Sequence, residues 1–154
     1  MRLSEMLAPD RIAFAGTALE KRDALGTLAR LLATGCSVPE ESLRHALGER
    51  EDLQSTGIGE GVAIPHAAVA ELEHPVAALL LVPGGLDFGA IDDAKVHHLF
   101  AVVGPKREVG EHLRTLARIS KLLRSADFRA RLLRSLEPAA AFELVTHEEQ
   151  ERAG

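Results

Sequence analysis

His66 follows a proline at the end of a short apolar run, "VAIPHA", just downstream of the glycine-rich stretch "STGIGEG". Pro65 fixes its own φ and biases Ile64 toward extended geometry, so the backbone leading to the imidazole is stiff. On the upstream side Gly57, Gly59 and Gly61 allow backbone N–H groups to turn toward a common point, a concavity suited to an anion, and Ser55 and Thr56 add hydroxyl donors. An imidazole with an unperturbed pKa of about 6.5 is largely neutral near pH 7, so one ring nitrogen keeps a lone pair able to accept a phosphoryl group without metal or external base. The plainer alternative is a loop histidine satisfied by a backbone carbonyl, with glycines that serve only the turn.

His112 bears on that choice. At 100° per residue it falls on the arc of Leu116, Ile119 and Leu123, in the first turn of a helix that follows a strand ending near Val103. It is therefore expected to face inward near the C-terminal edge of a sheet, where open α/β folds bind ligands and where a helix N-terminus favours a phosphate. A core histidine donating to a carbonyl is the alternative. The other histidines carry less: His97 and His98 are neighbours on a strand and point to opposite faces, and His45, His74 and His147 read as structural or surface groups. There is no GxxxxGK[ST] loop, no GxGxxG turn, no HExxH and no GxSxG elbow, and the glycines at 57, 59 and 61 have the wrong spacing for either nucleotide motif. Neither a metal nor a cofactor is expected.

The elements that must position these residues can be read from hydrophobic periodicity. After a short helical turn, "RIAFA" (11–15) has strand character, and "TALEKRDALGTLARLLATG" (17–35) reads as a helix ending near Gly35. "SVPEESLRHALGERE" (37–51) begins a second helix at Pro39, with acidic residues early and Arg50 late, and delivers Arg50 to the entrance of the glycine-rich loop. "VAALLLV" (76–82) and "HLFAVVG" (98–104) have the length of buried strands, and "GGLDFGAIDDAK" (84–95) between them reads as loop. Beyond it, "EVGEHLRTLARISKLLR" is helical, with Val109, Leu113, Leu116, Ala117, Ile119, Ser120 and Leu123 on the inward arc and Arg114, Arg118 and Lys121 opposite. Two more helices open at Ser125 and Pro138. Helices before, between and after strands imply an α/β fold, a three-layer α/β/α sandwich around a mixed central sheet.

Composition bounds the function. A chain of 154 residues is expected to form a single domain, 1–154, without staples. With no Trp or Tyr it offers no stacking platform for single-stranded nucleic acid, and its only cysteine, Cys36, excludes an internal disulfide. The N-terminus has no signal-like apolar core and no run is long enough to span a membrane, which implies a cytoplasmic protein with no membrane insertion. Residues 106–134 hold nine basic and three acidic side chains against a net charge of −5 for the chain, a solvated face or a partner surface.

The stretch "EDLQSTGIGEGVAIPHA" resembles the phosphorylation-site signature of type-two enzyme IIA proteins of the bacterial phosphoenolpyruvate-dependent sugar phosphotransferase system, the fructose and mannitol family with its nitrogen-regulatory branch. Glu51, Ile58, Gly59 and "VAIPHA" stand at the signature's positions, "LDFGAIDDAKV" resembles the family's segment before a central strand, and "EHLRTLARISKLLR" resembles its second-histidine helix. The resemblance implies that His66 accepts a phosphoryl group through Nε2 from the phosphohistidine of HPr or a nitrogen-branch HPr-like carrier. His112 and Arg50 would contact the group in transit, and Ser55, Thr56, Gly57 and Gly59 would line it. "STGIG" is closer to the nitrogen-regulatory proteins, which implies a stand-alone regulatory phosphocarrier that controls target proteins. A sugar-transport IIA that passes phosphate to a IIB component, and a binding regulator that is not phosphorylated and acts through 106–134, are the alternatives. The sequence departs from the family at His97–His98, where an acidic residue is common, and at Ala67–Ala68, where Gly often follows the histidine.

Overall fold

A computed structural model describes residues 1–16 and 19–153, Ala153 by its backbone alone. The chain order is α1 (Leu3–Met6), a 3-10 turn (Pro9–Arg11), β1 (Ile12–Phe14), α2 (Lys21–Ala33), α3 (Glu40–Leu53), β2 (Gly57–Gly59), β3 (Val62–Ala63), β4 (His66–Val69), β5 (Val76–Leu86), β6 (Val96–Pro105), α4 (Val109–Leu122), α5 (Ala126–Ser135) and α6 (Pro138–Ala153). The helix expected over 17–35 is α2; Thr17 and Ala18 lie outside the described residues.

One mixed sheet runs in the order β1-β5-β6-β3-β2, with β4 also paired to β6. The β5 and β6 strands are antiparallel, whereas β1 joins β5 and both β3 and β4 join β6 in parallel. Alternation along the central strands sorts the core. Ala78, Leu80, Val82, Leu99, Ala101 and Val103 face α2 and α3, where they meet Leu28, Leu32, Leu43 and Leu47. Ala77, Leu79, Leu81, Phe100 and Val102 face α1, α4, α5 and α6. Both faces are covered, so β5 and β6 read as unbroken apolar runs, and this is the three-layer arrangement expected from the sequence. Ser125 caps α5 by accepting from the Phe128 N–H, as read.

Two expectations change. First, residues 84–86 are strand rather than loop: a register shift between Leu81 and Leu86 lets Leu86 pair with Val96. Gly85 has φ of 74°, and a Cβ there would lie 2.8 Å from Cε1 of His97, so only glycine fits the bend. Beyond it Phe88 is fully buried, although it lies in the polar, glycine-rich stretch that reads as loop. Second, α4 is rotated from its expected facing. Thr115, Ile119 and Leu122 are the buried side chains of the helix, while Val109 and Leu113 are 62% and 60% exposed. Thr115 can turn inward because its hydroxyl donates to the Glu111 carbonyl at 3.0 Å, which satisfies the polar atom locally.

Because Phe88 fills the core behind the β2 loop, Phe88→Ala should lower unfolding stability by about 3–5 kcal/mol. A loop residue without packing would change it by under ~0.5 kcal/mol, and urea denaturation distinguishes the two.

Candidate functional site

The β3 and β4 strands are two segments of one path along the same edge of β6, broken at Ile64–Pro65. Val62 lies opposite His98 and His66 opposite Val102, and the Pro65 carbonyl accepts from the Val102 N–H at 3.0 Å. Proline interrupts the ladder where it has no N–H to offer, and the interruption brings His66 back over the preceding residue. The result is a short hydrogen bond in which Nδ1–H of His66 donates to the Ile64 carbonyl at 2.7 Å. A carbonyl can only accept, so the proton of the neutral ring sits on Nδ1 and the lone pair on Nε2. A histidine satisfied by a backbone carbonyl in this way still keeps the Nε2 lone pair free.

The second histidine arrives from α4. Ring centroids of His66 and His112 are 5.7 Å apart and the planes are tilted by 55°. The His112 ring lies over Gly104, near the end of β6, where a Cβ would sit 3.0 Å from Nδ1 of His112. Arg50, in the last turn of α3, donates Nη1–H to the Gln54 carbonyl at 2.8 Å. Burial holds the His66 imidazole below its ordinary pKa; the Ile64 hydrogen bond opposes this, the Arg50 charge adds to the lowering, and Glu51 opposes it. Burial, and then the neighbouring His66, lower that of His112. Both rings are thus neutral at pH 7, and a neutral Nε2 is what a phosphoryl acceptor needs.

The glycine-rich segment is a hairpin. Gly57 and Gly59 pair with Ala63 and Val62, and Glu60 and Gly61, both at positive φ (58° and 76°), make the tight turn. Its hydroxyls have partners other than those expected of an anion cradle. Ser55 Oγ donates to the Phe88 carbonyl at 3.2 Å and accepts from the Gly57 N–H, and Thr56 Oγ1 donates to Glu51 at 2.6 Å. Ser55, Thr56, Gly57 and Gly59 hold the shape of the hairpin, and its geometry fixes the segment that leads from Arg50 to His66.

The anchor beneath it is Glu51. Its buried carboxylate accepts from the Thr56 N–H (3.0 and 3.1 Å) and the Thr56 hydroxyl, and pairs with Lys21 Nζ at 2.8 Å. Lys21 also lies 4.5 Å from the Phe88 ring centroid. The sequence reading placed Glu51 in the signature without a physical role, and it missed Lys21. No sequence signal links Lys21, at the start of α2, to a loop thirty-five residues on.

The remaining histidines serve other ends. His97 Nδ1–H donates to the Val82 carbonyl (3.0 Å), and the buried His98 donates Nε2–H to the Arg129 carbonyl (2.9 Å), tying β6 to α5. His45 and His147 are exposed and pair with Glu49 and Glu151. Much of the basic charge of 106–134 is engaged within the molecule: Arg107 reaches the carbonyls of Leu72 and Glu73, Arg114 and Arg118 reach Glu111, Arg129 reaches the carbonyls of Leu123 and Arg124, and Arg131 bridges Asp127 and Glu148. Among the described residues, no group of three or more His, Cys, Asp or Glu side chains is placed to hold a metal ion, and no helix is long and apolar enough to cross a membrane.

Comparison with known proteins adds to this geometry. The family model described as "Phosphoenolpyruvate-dependent sugar phosphotransferase system, EIIA 2" matches residues 5–148. A nitrogen regulatory protein of Pseudomonas aeruginosa is 34% identical over 148 residues, covering 94% of this chain and 95% of that protein. The fructose-specific EIIABC component of Bacillus subtilis is 28% identical over 151 residues, covering 97% of this chain and 24% of its own length. Among solved structures, the nitrogen regulatory protein IIA-Ntr of Neisseria meningitidis superposes with a TM-score of 0.86 at 25% identity, over 93% of this chain and 98% of that one.

Two outcomes are expected. Glu51→Ala, which strands Lys21 and the Thr56 N–H, should cost about 3 kcal/mol in denaturant unfolding. In NMR titration His66 and His112 should both protonate below pH 6.5, and Arg50→Gln should raise the His66 value by removing a lowering charge. The linked stability follows the sign: the unfolded chain binds the protons first, so these two groups leave the fold at full stability above pH 6.5 and weaken it as pH falls from there through their folded values.

Proposed function

The chain belongs to the type-two EIIA family of the phosphoenolpyruvate-dependent sugar phosphotransferase system, and from that premise we propose that His66 is its phosphoryl acceptor and that the protein is a single-domain, cytoplasmic regulatory phosphocarrier. The observation that carries the residue assignment is the 2.7 Å hydrogen bond from Nδ1 of His66 to the Ile64 carbonyl, which leaves Nε2 as the free nucleophile.

In the proposed step, the Nε2 lone pair of His66 forms the new N–P bond as the N–P bond to the donor imidazole breaks, and that imidazole keeps the electron pair. Such a transfer needs in-line positioning and charge neutralisation more than covalent help. Arg50 supplies a fixed positive charge. His112 enters neutral, and the negative charge of the phosphoryl group beside it then raises its proton affinity, so that it becomes a donor to the group when the group is present. Exchange between two imidazoles is close to thermoneutral, so the step runs in both directions.

The donor is HPr or a nitrogen-branch HPr-like carrier. Exposed apolar side chains flank the site: Val109 and Leu113 on either side of His112, and Leu53 at the end of the helix that carries Arg50. An apolar rim around neutral rings suits a protein that presents its own phosphohistidine. The regulatory reading is supported by the nearly end-to-end match to nitrogen regulatory proteins, with phosphorylation state controlling the binding of target proteins. The match to a fructose-specific component supports a second reading, in which the phosphate passes to a IIB component. A regulator that works unphosphorylated through 106–134 has less support, because so many of those side chains are engaged internally.

Incubation with phosphoenolpyruvate, enzyme I and each carrier should add a single acid-labile phosphoryl group per chain. His66→Ala should abolish labelling, while His112→Ala should keep the fold but slow transfer or shorten the lifetime of the phosphohistidine by roughly tenfold or more. Labelling that persists in His66→Ala would overturn the assignment.

A further inference from the structure

A second concave site, separate from the histidine pair, lies where α1, α4 and the C-terminal part of α6 meet. The cavity holds about 450 Å³ and is lined by Leu3 and Leu122, by the cations Arg2, Arg118, Lys121 and Arg152, and by Glu149 and Gln150. Its volume is that of a small-molecule site, and it shares no lining residue with the surroundings of His66 and His112.

The charge balance within it is uneven. Glu149, its only carboxylate, is already engaged: its two oxygens accept from the N–H groups of Leu3 (2.6 Å) and Ser4 (3.1 Å) at the start of α1. Three of the cations have carboxylate partners outside the cavity, Arg2 with Glu5, Arg118 with Glu111 and Arg152 with Glu148, at 3.5, 3.5 and 3.2 Å. Lys121 is exposed and has no carboxylate within ion-pair reach among the described residues. The Nε–H of Arg118 is closed off from solvent and has no acceptor among them. Buried donors without acceptors are rare in folded proteins. The long stems of Arg118, Lys121 and Arg152 provide apolar wall over Leu3 and Leu122, which are themselves buried in the core, so charge and hydrophobic surface converge in one place.

We propose that this cavity binds a small organic anion, with a carboxylate or phosphate held by Lys121 and Arg118 and an apolar body lying along the side-chain stems of Arg118, Lys121 and Arg152. An inorganic anion would use the cations but not the walls, and a neutral apolar molecule would use the walls but leave the cations without a counter-charge. Discrimination against both is the signature of the site.

The test uses the ¹⁵N-labelled full chain and four probes: phenyl phosphate, benzoate, benzamide and inorganic phosphate. Phenyl phosphate or benzoate should give saturable shifts confined to the amides of residues near 3, 118–122 and 149–152, and the tighter of the two identifies the preferred headgroup. Benzamide and inorganic phosphate should each bind roughly tenfold more weakly or worse, and Lys121→Gln and Arg118→Gln should each weaken the organic anion by roughly tenfold, as loss of a charge-assisted hydrogen bond implies. The spectrum away from the cavity reports whether each variant is folded. Equal binding of benzamide, equal binding of inorganic phosphate, shifts that map elsewhere or persist unchanged in both folded variants, or no binding by either organic anion would overturn the proposal.

Discussion

The hydrogen bond from His66 Nδ1 to the carbonyl two residues earlier is the constraint around which the chemistry is arranged. It costs the protein a break in its sheet edge, because the path along β6 must release its ladder at Pro65 for the ring to reach back to Ile64. In exchange the ring has one orientation, one tautomer and a single free nitrogen. A histidine on a continuous strand would stand perpendicular to the sheet with no such carbonyl within reach, and its two tautomers would compete.

The surroundings keep that geometry rigid from two sides. On one side the hairpin is pinned by Glu51, whose charge is buried only because Lys21 and Thr56 meet it, and Lys21 in turn rests on Phe88. On the other, Gly104, next to last in β6, leaves room for the His112 ring. The loop hydroxyls that resemble donors for an anion have partners within the protein, the Phe88 carbonyl for Ser55 and Glu51 for Thr56, as a loop packed against the core must satisfy its own polar atoms.

Local pattern made much of this visible in advance. The apolar runs of β5 and β6, the Pro39 and Ser125 starts of α3 and α5, and the placement of Arg50 at the end of its helix all follow from periodicity and capping, which depend on near neighbours in the chain. The stiff entry to His66 and the inward turn of His112 were legible for the same reason. What failed was the facing of α4 and the state of residues 84–88. Val109 and Leu113 look like core in a helical pattern, yet an exposed apolar side chain carries the same periodic signal as one in a core. Phe88 is hidden in a glycine-rich run whose composition argues for a loop, and only the bulge at Gly85 turns it inward.

The sequence by itself determined the layered α/β architecture and the family, and it nominated His66, His112 and Arg50 as candidate site residues, because periodicity and the signature around His66 are both written in short stretches of chain. Only the tertiary structure decided which nitrogen of His66 is free, that the two imidazoles stand 5.7 Å apart, and that Lys21 holds the hairpin through Glu51. These are relations between segments distant along the chain, or between a side chain and a backbone carbonyl whose direction depends on the break at Pro65. No periodicity encodes them, since they arise when separate elements are packed against one sheet.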